Sequence, residues 1–409
     1  MQKNKCPYCG NNPVPHFLNW YFESLNVLFT PLRGFLIHNF ITLKIEKILA
    51  SMFPATEVVR FFVALRVLSL QHSKEKCKVF RAKVLWDEAE RQGIVMTELL
   101  LFGKPFDCYL AEKTEKLIQV VPGQIPGKHS KPLHIVFSGL PRPKGYDNSE
   151  LDTMDDKLLL KRKLQAAMLP VPQGGSAWSL GQALKIFRTI RKPVIVKPRA
   201  GSRGRHTTTY VETEADLRQA YRIAKQLCFW VIVEEQLFGP VYRATAINYE
   251  IRGVLRGDSP QVIGDGLHTI AQLVEQKNSS PHNGVKDIVL EISVSLFLSR
   301  QKKSLKTIPA KGETVVLSEK IGVNYGGSSS EDLQVCHPEN KAMFARAAKV
   351  AGDPIVGFDF IIPDITQSYV HQHCGFLEAN SLPFINLHHD PLLGKPENVA
   401  RYVWELVDN

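Results

Sequence analysis

Three oxygen-bearing side chains near the end of the chain have the types and spacing of a metal site. Asp359 lies in one apolar segment, and Glu378 and Asn380 lie two residues apart in the next. Residues two apart on a strand face the same side of a sheet, so this pair can converge with an Asp from a neighbouring strand. Mg²⁺ prefers such hard oxygen ligands, together with water and substrate phosphates. The alternative is that each carboxylate is solvated separately, which fits poorly with the apolar residues around them.

A basic, glycine-bearing loop in the middle of the chain has the composition of a phosphate-binding loop. A predicted strand ends in Lys197, and Gly201, Ser202 and Gly204 follow. Glycines let backbone N–H groups approach a phosphate, and nearby cations offset its charge. A basic surface turn has the same composition, so the loop alone does not decide between the two.

A second predicted strand runs into two adjacent carboxylates, Glu234 and Glu235. Such a segment can be a hinge that presents main-chain groups to an adenine and a carboxylate to a ribose. It can equally be a solvated strand edge, and the two alternatives stay open at this point.

Alternating helices and strands position these residues. Capping residues, prolines and hydrophobic periodicity predict helices over 83–93, 152–169, 213–228 and 338–351, and strands over 94–101, 135–137, 193–197, 230–234, 356–362 and 375–378. This alternation predicts an α/β fold.

Composition and charge exclude several classes of protein. The chain has 409 residues, of which 44% are hydrophobic and 22% charged, which suits a globular protein of two or three domains. The net charge of +11 is scattered, with no long run of like charges. We therefore expect anionic small molecules such as nucleotides as partners, and no nucleic acid.

The cysteines indicate a reducing compartment. There are seven, an odd number, and only Cys6 and Cys9 are close in sequence. This is not a disulfide framework, and the N-terminus does not resemble a signal peptide, so we expect a cytoplasmic protein.

From about residue 155 to the C-terminus, the chain resembles the ATP-grasp superfamily. It is most similar to the ATP-grasp region of cyanophycin synthetases and to glutathione-synthetase-like ligases. The matching segments occur in the family's order: Asp156-Lys157, Val194-Ile195-Val196-Lys197-Pro198, Val231-Ile232-Val233-Glu234-Glu235, Gly264-Asp265-Gly266, Gly326-Gly327, His337-Pro338, Gly357-Phe358-Asp359 and Glu378-Ala379-Asn380. The resemblance implies an ATP-grasp domain over 151–409, a preceding small α/β domain over 76–150 and an N-terminal helical segment over 1–75.

The resemblance also implies roles for individual residues. Those implied for ATP binding are Lys157, Lys197, Gly201, Ser202, Gly204, Glu234, Glu235 and Leu237, with Leu237 packing on the base. Arg243 and Lys197 would act in catalysis on the transferring phosphoryl group. Asp359, Glu378 and Asn380 would bind Mg²⁺, two ions in all, for which Mn²⁺ can substitute.

The function that this resemblance implies is an ATP-dependent ligase. It would join a small-molecule carboxylate to an amine through an acyl phosphate. One alternative is an ATP-grasp phosphotransferase, and another is a non-catalytic, membrane-associated nucleotide-binding protein. His206 stands where the family usually has a third glycine, and no Mur-ligase-like domain follows, so we do not expect cyanophycin synthesis itself. The resemblance is also compatible with a homo-oligomer.

The N-terminal segment is the least informative part of the sequence. Residues 17–70 are apolar but interrupted by charges and prolines, which predicts two or three helices and no transmembrane span. We favour a helical cap or a dimer contact over contact with a membrane surface. Cys6 and Cys9 lack a second cysteine pair, so we expect a turn with reduced thiols and weigh Zn²⁺, with His16 as a further ligand, as less favoured.

Several other polar residues have open roles. His371, His373, His388 and His389 are expected to be solvated loop residues or substrate contacts rather than metal ligands. By family analogy, the backbone N–H groups around Gly326-Gly327 are expected to bind the carboxylate of the acceptor.

Overall fold

The computed structural model describes residues 6, 8, 15–32, 55–113, 133–143, 146, 154, 156–201, 204–280, 285–318 and 320–408. Cys9 and Ser202 therefore lie outside the described residues. In the described part of the chain, no helix is long and apolar enough to cross a membrane.

The first unit is a four-stranded antiparallel sheet of β1 (Leu68–Gln71), β2 (Val95–Leu101), β3 (Lys104–Lys113) and β4 (Leu133–Ser138), in that order. One of its helices is α2 (Ala55–Ala64), whose Val59 packs on Leu99 and Leu110. The other is α3 (Phe80–Arg91), which contributes Leu85 and Trp86 to the main core of this unit. The sheet begins before residue 76, where the sequence analysis places a domain boundary.

The second unit is a smaller antiparallel sheet with two helices. Its strands are β5 (Gly174–Ala177), β6 (Val194–Pro198), β7 (Thr208–Val211) and β8 (Val231–Glu235), in the order β5-β8-β6-β7. α5 (Leu180–Thr189) and α6 (Glu214–Lys225) pack on it through a shared apolar cluster. Thr213 and Asp216 form a reciprocal capping box that begins α6, at the residue where the sequence predicts the cap.

The third unit is a six-stranded sheet that carries the predicted metal ligands. Its strands are β9 (Val241–Ile247), β10 (Glu250–Gly257), β13 (Ser329–Glu331), β14 (Ile355–Ile361), β15 (Gly375–Asn380) and β16 (Leu393–Gly394), in the order β15-β14-β9-β10-β13-β16. α4 (Lys157–Ala166) and α9 (Pro338–Ala351) cover one face through a core that includes Leu160, Phe344 and Phe358.

A small lobe and two C-terminal helices are further parts of the described chain. The lobe contains β11 (Gln261–Ile263), α7 (Ile270–Ser279), α8 (Ile292–Arg300) and β12 (Thr314–Val316). It has an apolar cluster of its own. α10 (Asn386–His389) and α11 (Val399–Asp408) follow β15, and Trp404 of α11 returns to the core of the first unit.

The N-terminal helix α1 (His16–Leu32) packs on the second unit. Val27 is buried with Ala200 and Cys228, and the Ser24 hydroxyl accepts a hydrogen bond from Phe229 N at 2.9 Å. This packing supports the predicted cap. Phe17 and Phe22 on the same helix are 74% and 64% exposed, so the membrane-surface alternative stays open.

Most predicted elements are present, with shifted ends. The helix over 338–351 has the predicted bounds and ends at Gly352 in the left-handed conformation. In the segment predicted as a helix over 152–169, the helix α4 begins at Lys157 with Asp156 as its cap, and Asp152, the predicted cap, lies outside the described residues. Strands β14 and β15 each differ from the prediction at one or both ends.

Candidate active site

Arg243, Asp359 and Glu378 form a row across three adjacent strands. In the register of the sheet, Asp359 of β14 lies opposite Arg243 of β9 on one side and Glu378 of β15 on the other. The guanidinium of Arg243 donates two hydrogen bonds of 2.8 Å to the two carboxylate oxygens of Asp359. Strand pairing therefore brings together a cation and two carboxylates that are far apart in the sequence.

The two carboxylates of this row are too close to be independent. Burial, with the neighbouring Glu378 charge, raises the pKa of Asp359 to about 6, against the opposing effect of Arg243. Burial acts the same way on Glu378, but Lys157, a hydrogen bond with Asp359 and the charge of Lys197 together lower its pKa. Asp359 is therefore the carboxylate of this row that takes up a proton first as the pH falls, as expected where like charges share a site.

These residues fit a divalent cation. Asn380 follows Glu378 by two residues on β15, so it lies on the same side of the sheet, where its amide oxygen could be a third ligand. Two converging carboxylates and an amide are the hard donor set that Mg²⁺ takes. A cation at this place would offset the burial and the carboxylate repulsion that raise the pKa of Asp359.

Lys157 connects the carboxylate row to the phosphate loop. It is the first residue of α4, and its Nζ donates to Gly201 O at 2.7 Å and lies 3.8 Å from Glu378 Oε2. The predicted ATP lysine thus lies between the loop of the second unit and the metal ligands of the third.

Glu234 is held between two lysines inside the site. Its carboxylate contacts Lys161 Nζ through one oxygen and Lys197 Nζ, at 2.5 Å, through the other. Burial would raise the pKa of Glu234, but the two ammonium groups lower it to about 2. Burial lowers the pKa of Lys161 to about 8 against the attraction of Glu234. The side chain of Glu234 positions the lysines, and its predicted place near adenine or ribose stays a prediction.

Asp156 and Arg199 connect the same two units a short distance away. The Asp156 carboxylate accepts from Leu158 N and Leu159 N at the start of α4. It also accepts from Arg199 Nε at 3.0 Å and Nη2 at 2.6 Å. This bidentate pair fixes the start of α4, and with it Lys157, against the end of β6.

Glu235 is the last residue of β8, directly after Glu234, and Leu237 lies two residues beyond the strand. Glu235 Oε1 accepts from Gln173 N at 2.9 Å, and Oε2 lies 3.3 Å from His373 Nε2. Leu237 is buried beside Gly375, where a Cβ would lie 3.1 Å from Leu237 Cδ1. Their roles toward the base and the ribose stay predictions.

The phosphate loop shows why the family pattern has glycines here. Gly201 and Gly204 have φ of 110° and 63°, the region that favours glycine. His206, at the position of the family's third glycine, also has a positive φ of 54° and is fully buried. Its Nδ1 lies 2.7 Å from Ile223 O, a contact that stabilises this unfavourable backbone conformation.

One of the four histidines has a different place from the predicted one. His388 is fully buried, with Nδ1 2.5 Å from Glu331 Oε2 and Nε2 2.7 Å from Thr245 Oγ1. His389 Nε2 accepts from Ala400 N at 3.2 Å, and burial lowers its pKa to about 4. The prediction of a solvated loop residue was wrong for His388, whereas His389 is half-buried and His371 and His373 are exposed as expected.

The backbone N–H groups of Gly326 and Gly327 are used inside their own loop. They donate to Val323 O at 3.3 Å and to Gly322 O at 3.2 Å. The predicted role in binding the acceptor carboxylate therefore gains no support from this conformation.

Sequence reasoning missed Lys161, the Asp156 carboxylate and Arg199 as parts of the site. Lys161 had a signal, since it follows Lys157 by four residues and shares its helix face. The pairing of Asp156 with Arg199 had none, because it depends on how two units pack.

The fold and the sequence of the ATP-grasp region match known ligases. The crystal structure of a bifunctional glutathione synthetase from Pasteurella multocida superposes with a TM-score of 0.52 at 24% identity, covering 80% of this chain and 43% of that one. The chain thus has the ATP-grasp fold that the sequence predicts. No family model matches it.

Curated relatives match over part of this chain. The glutathione biosynthesis bifunctional protein of Clostridium perfringens is 29% identical over 265 residues, which are 63% of this chain and 34% of that protein. The cyanophycin synthetase of Trichormus variabilis is 29% identical over 259 residues, 62% of this chain and 29% of that protein. The chain is therefore similar to ATP-grasp ligases, and it spans about a third of the length of the curated relatives it matches.

Proposed function

We propose that the protein is an ATP-dependent carbon–nitrogen ligase that joins a carboxylate to an amine through an acyl phosphate. The observation that carries the proposal is the meeting of two sets of charges. The lysine set, Lys157, Lys161 and Lys197, faces the Asp359–Glu378 row, with Lys157 Nζ 3.8 Å from Glu378. A nucleoside triphosphate with Mg²⁺ is the ligand class that matches cations on one side and carboxylates on the other.

The residues of the site support binding of ATP in a defined way. Lys157 and Lys197 would bind its phosphates from two sides, under the loop that contains Gly201 and Gly204. Asp359, Glu378 and Asn380 would hold Mg²⁺, two ions by family resemblance, which offset the negative charge of the phosphates when bound. Glu234 keeps Lys197 in place, since it contacts that ammonium at 2.5 Å.

The chemistry needs charge and position rather than a nucleophilic side chain. An oxygen of the substrate carboxylate attacks the γ-phosphorus of ATP, and ADP leaves. The amine then attacks the carbonyl carbon of the acyl phosphate, and inorganic phosphate leaves as the amide forms. Arg243 lies beside Asp359 and would stabilise the transferring phosphoryl group. A loop closed over the site would keep water from hydrolysing the acyl phosphate.

The substrate class follows by analogy. The relatives are named for the synthesis of glutathione and cyanophycin, so we propose a small carboxylate and an amine such as amino acids or short peptides. A cytoplasmic location is proposed with it, since in the described chain Cys6, Cys77, Cys108, Cys228, Cys336 and Cys374 are free thiols.

The test is ADP release from Mg-ATP by the purified protein. It is offered amino acids, short peptides and small carboxylates, singly and in pairs. Glu378→Gln should lower turnover by at least about 100-fold, because it removes a carboxylate proposed to hold the Mg²⁺ that offsets the phosphoryl charge. Glu250→Gln, an exposed glutamate paired with Arg252, is the matched control and should keep wild-type turnover.

The outcomes of this assay distinguish a ligase from a phosphotransferase and from a non-catalytic protein. Release that needs a carboxylate and an amine together, and is lost only in Glu378→Gln, would establish a ligase. Release with a carboxylate alone would indicate a phosphotransferase. No Glu378-sensitive release and no ATP binding would contradict the proposal and favour the non-catalytic alternative.

A further inference from the structure

Cys6, His16 and His206 meet at a place that the ligase mechanism does not use. Cys6 precedes α1, and His16 is the first residue of α1. His206 lies in the second unit, at the end of the proposed phosphate loop. Their Sγ and ring nitrogen atoms all lie within 4.8 Å of one another. We propose that these three side chains bind a structural zinc ion that joins the N-terminal helix to the phosphate loop.

The distances fit zinc. In a tetrahedral site with Zn–S of about 2.3 Å and Zn–N of about 2.0–2.1 Å, sulfur and nitrogen lie about 3.5 Å apart. Cys6 Sγ and His206 Nε2 are 3.5 Å apart. The rings of His16 and His206 meet edge to face, with centroids 4.7 Å apart, which brings two imidazoles to one point. Thiolate and imidazole together are a donor set that binds zinc in preference to Mg²⁺.

His206 has the orientation of a metal ligand. Its Nδ1 is 2.7 Å from Ile223 O, and because a carbonyl oxygen only accepts, Nδ1 carries the hydrogen. Nε2 is then left with its lone pair directed to the side of Cys6. Zinc-binding histidines are commonly fixed in this way, by a second hydrogen bond from the other ring nitrogen. On binding, zinc would replace the thiol proton of Cys6, which leaves to solvent.

The surroundings of the cluster indicate a structural rather than a catalytic role. His206 is fully buried, and its backbone N–H donates to Tyr8 O at 3.1 Å. Next to it, Arg205 Nη2 donates to Asn19 Oδ1 of α1 at 3.3 Å. The zinc would therefore fix the end of the phosphate loop to α1, at the position where the family usually has a glycine.

From the sequence alone, zinc is the less favoured interpretation of Cys6, because only one cysteine pair is present. The structure adds His206 to Cys6 and His16, a ligand that the spacing could not show, since it is 200 residues from Cys6. Cys9 lies outside the described residues, and the proposed site does not depend on it.

The test is the metal content of the full-length protein. Zinc is measured by inductively coupled plasma mass spectrometry after dialysis against buffer with Mg²⁺, with no histidine tag left on the chain. We expect zinc at about one ion per chain. Replacement by Co²⁺ should give the visible bands of a tetrahedral site and a thiolate-to-cobalt charge-transfer band.

Single substitutions locate the site. Cys6→Ser and His16→Gln should lose zinc and the charge-transfer band, and so should His206→Gln. Because His206 is fully buried and its variant is at risk of not folding, the half-buried Cys6 and His16 carry the test, with circular dichroism to confirm folding. Cys108→Ser and His134→Gln, in the first unit, are the matched controls and should keep zinc.

Glu378→Gln tests whether the measured zinc is bound at the proposed Mg²⁺ site instead. This variant should also keep zinc. Wild-type protein with no zinc and no tetrahedral cobalt spectrum would overturn the proposal. Full zinc content in folded Cys6→Ser and His16→Gln would overturn it as well.

Discussion

At the scale of single residues, the site depends on a buried carboxylate that sequence patterns assign to another role. Glu234 is 2% exposed and contacts two ammonium groups, so its charge is needed to keep both lysines inside the protein. Removing one partner of such a buried group leaves the other charge without compensation, which costs more than the interaction itself contributes.

Substitution of Glu234 should therefore destabilise the protein strongly. We expect Glu234→Gln to lower the free energy of unfolding by about 3 kcal/mol, because Lys161 and Lys197 would face each other unpaired. Urea denaturation measures the change. Glu214→Gln removes an exposed carboxylate paired with Arg188 and is the control, with a much smaller effect. Equal effects of the two substitutions would contradict the buried-charge interpretation.

The Glu234 carboxylate should also affect how the free energy of unfolding depends on pH in the acid range. The folded pKa of Glu234, about 2, lies below its usual value of 4.5. The stabilisation is therefore complete above about pH 4.5 and is lost as the pH falls toward 2, by about 3 kcal/mol in all. The difference in unfolding free energy between wild type and Glu234→Gln should narrow over this range. A difference that does not change with pH would show that the charge is not responsible.

At the scale of elements, the start of α4 connects the proposed phosphate loop to the proposed metal ligands. Asp156 both caps this helix and accepts two hydrogen bonds from Arg199. The cap fixes the first turn, which contains Lys157, so we expect stability and the proposed ATP binding to be coupled at this one residue.

Substitution of this cap should affect ATP as well as stability. Asp156→Ala is expected to cost about 1–2 kcal/mol and to raise KM for ATP, since Lys157 and Arg199 lose their anchor. Thr213→Ala removes the cap of α6, away from the lysines, and should cost about 1 kcal/mol without changing KM. Urea denaturation and steady-state kinetics measure the two effects. An unchanged KM for ATP in Asp156→Ala would show that the helix cap does not affect ATP binding.

At the scale of the whole molecule, α11 connects the first and third units. Trp404 is fully buried, and its Nε1 donates to Leu85 O of α3 at 2.9 Å. The same apolar core contains Ile247 of β9 and Ile355 of β14. The end of the chain thus joins the sheet with the metal ligands to the first sheet.

Loss of this contact should destabilise the fold without touching the site. Trp404→Ala is expected to cost about 3–5 kcal/mol, because it leaves a large cavity between two units. Trp178→Ala, whose side chain is 55% exposed, is the control and should change stability by less than about 1 kcal/mol. Urea denaturation compares the two, and similar midpoints would argue against α11 as the connection.

Much of the fold was predictable because local signals agree with it. The capping box at Thr213, Pro338 with Gly352 around α9, and the apolar runs that became β6, β8, β14 and β15 are signals within a few residues of each other. The resemblance to ATP-grasp ligases supplied the order of these elements. What local signals did not supply was the start of α4 or the burial of His388, which depend on neighbours from other units.

The sequence by itself determined the element types, the glycines of the phosphate loop and the two-residue spacing of Glu378 and Asn380, because all of these depend on local backbone geometry. Only the tertiary structure decided that Arg243 pairs with Asp359, that Glu234 lies between Lys161 and Lys197, and that His206 meets Cys6. The physical reason is that these contacts join residues far apart in the chain. They are set by strand order and by the packing of units, for which the spacing within one segment carries no signal.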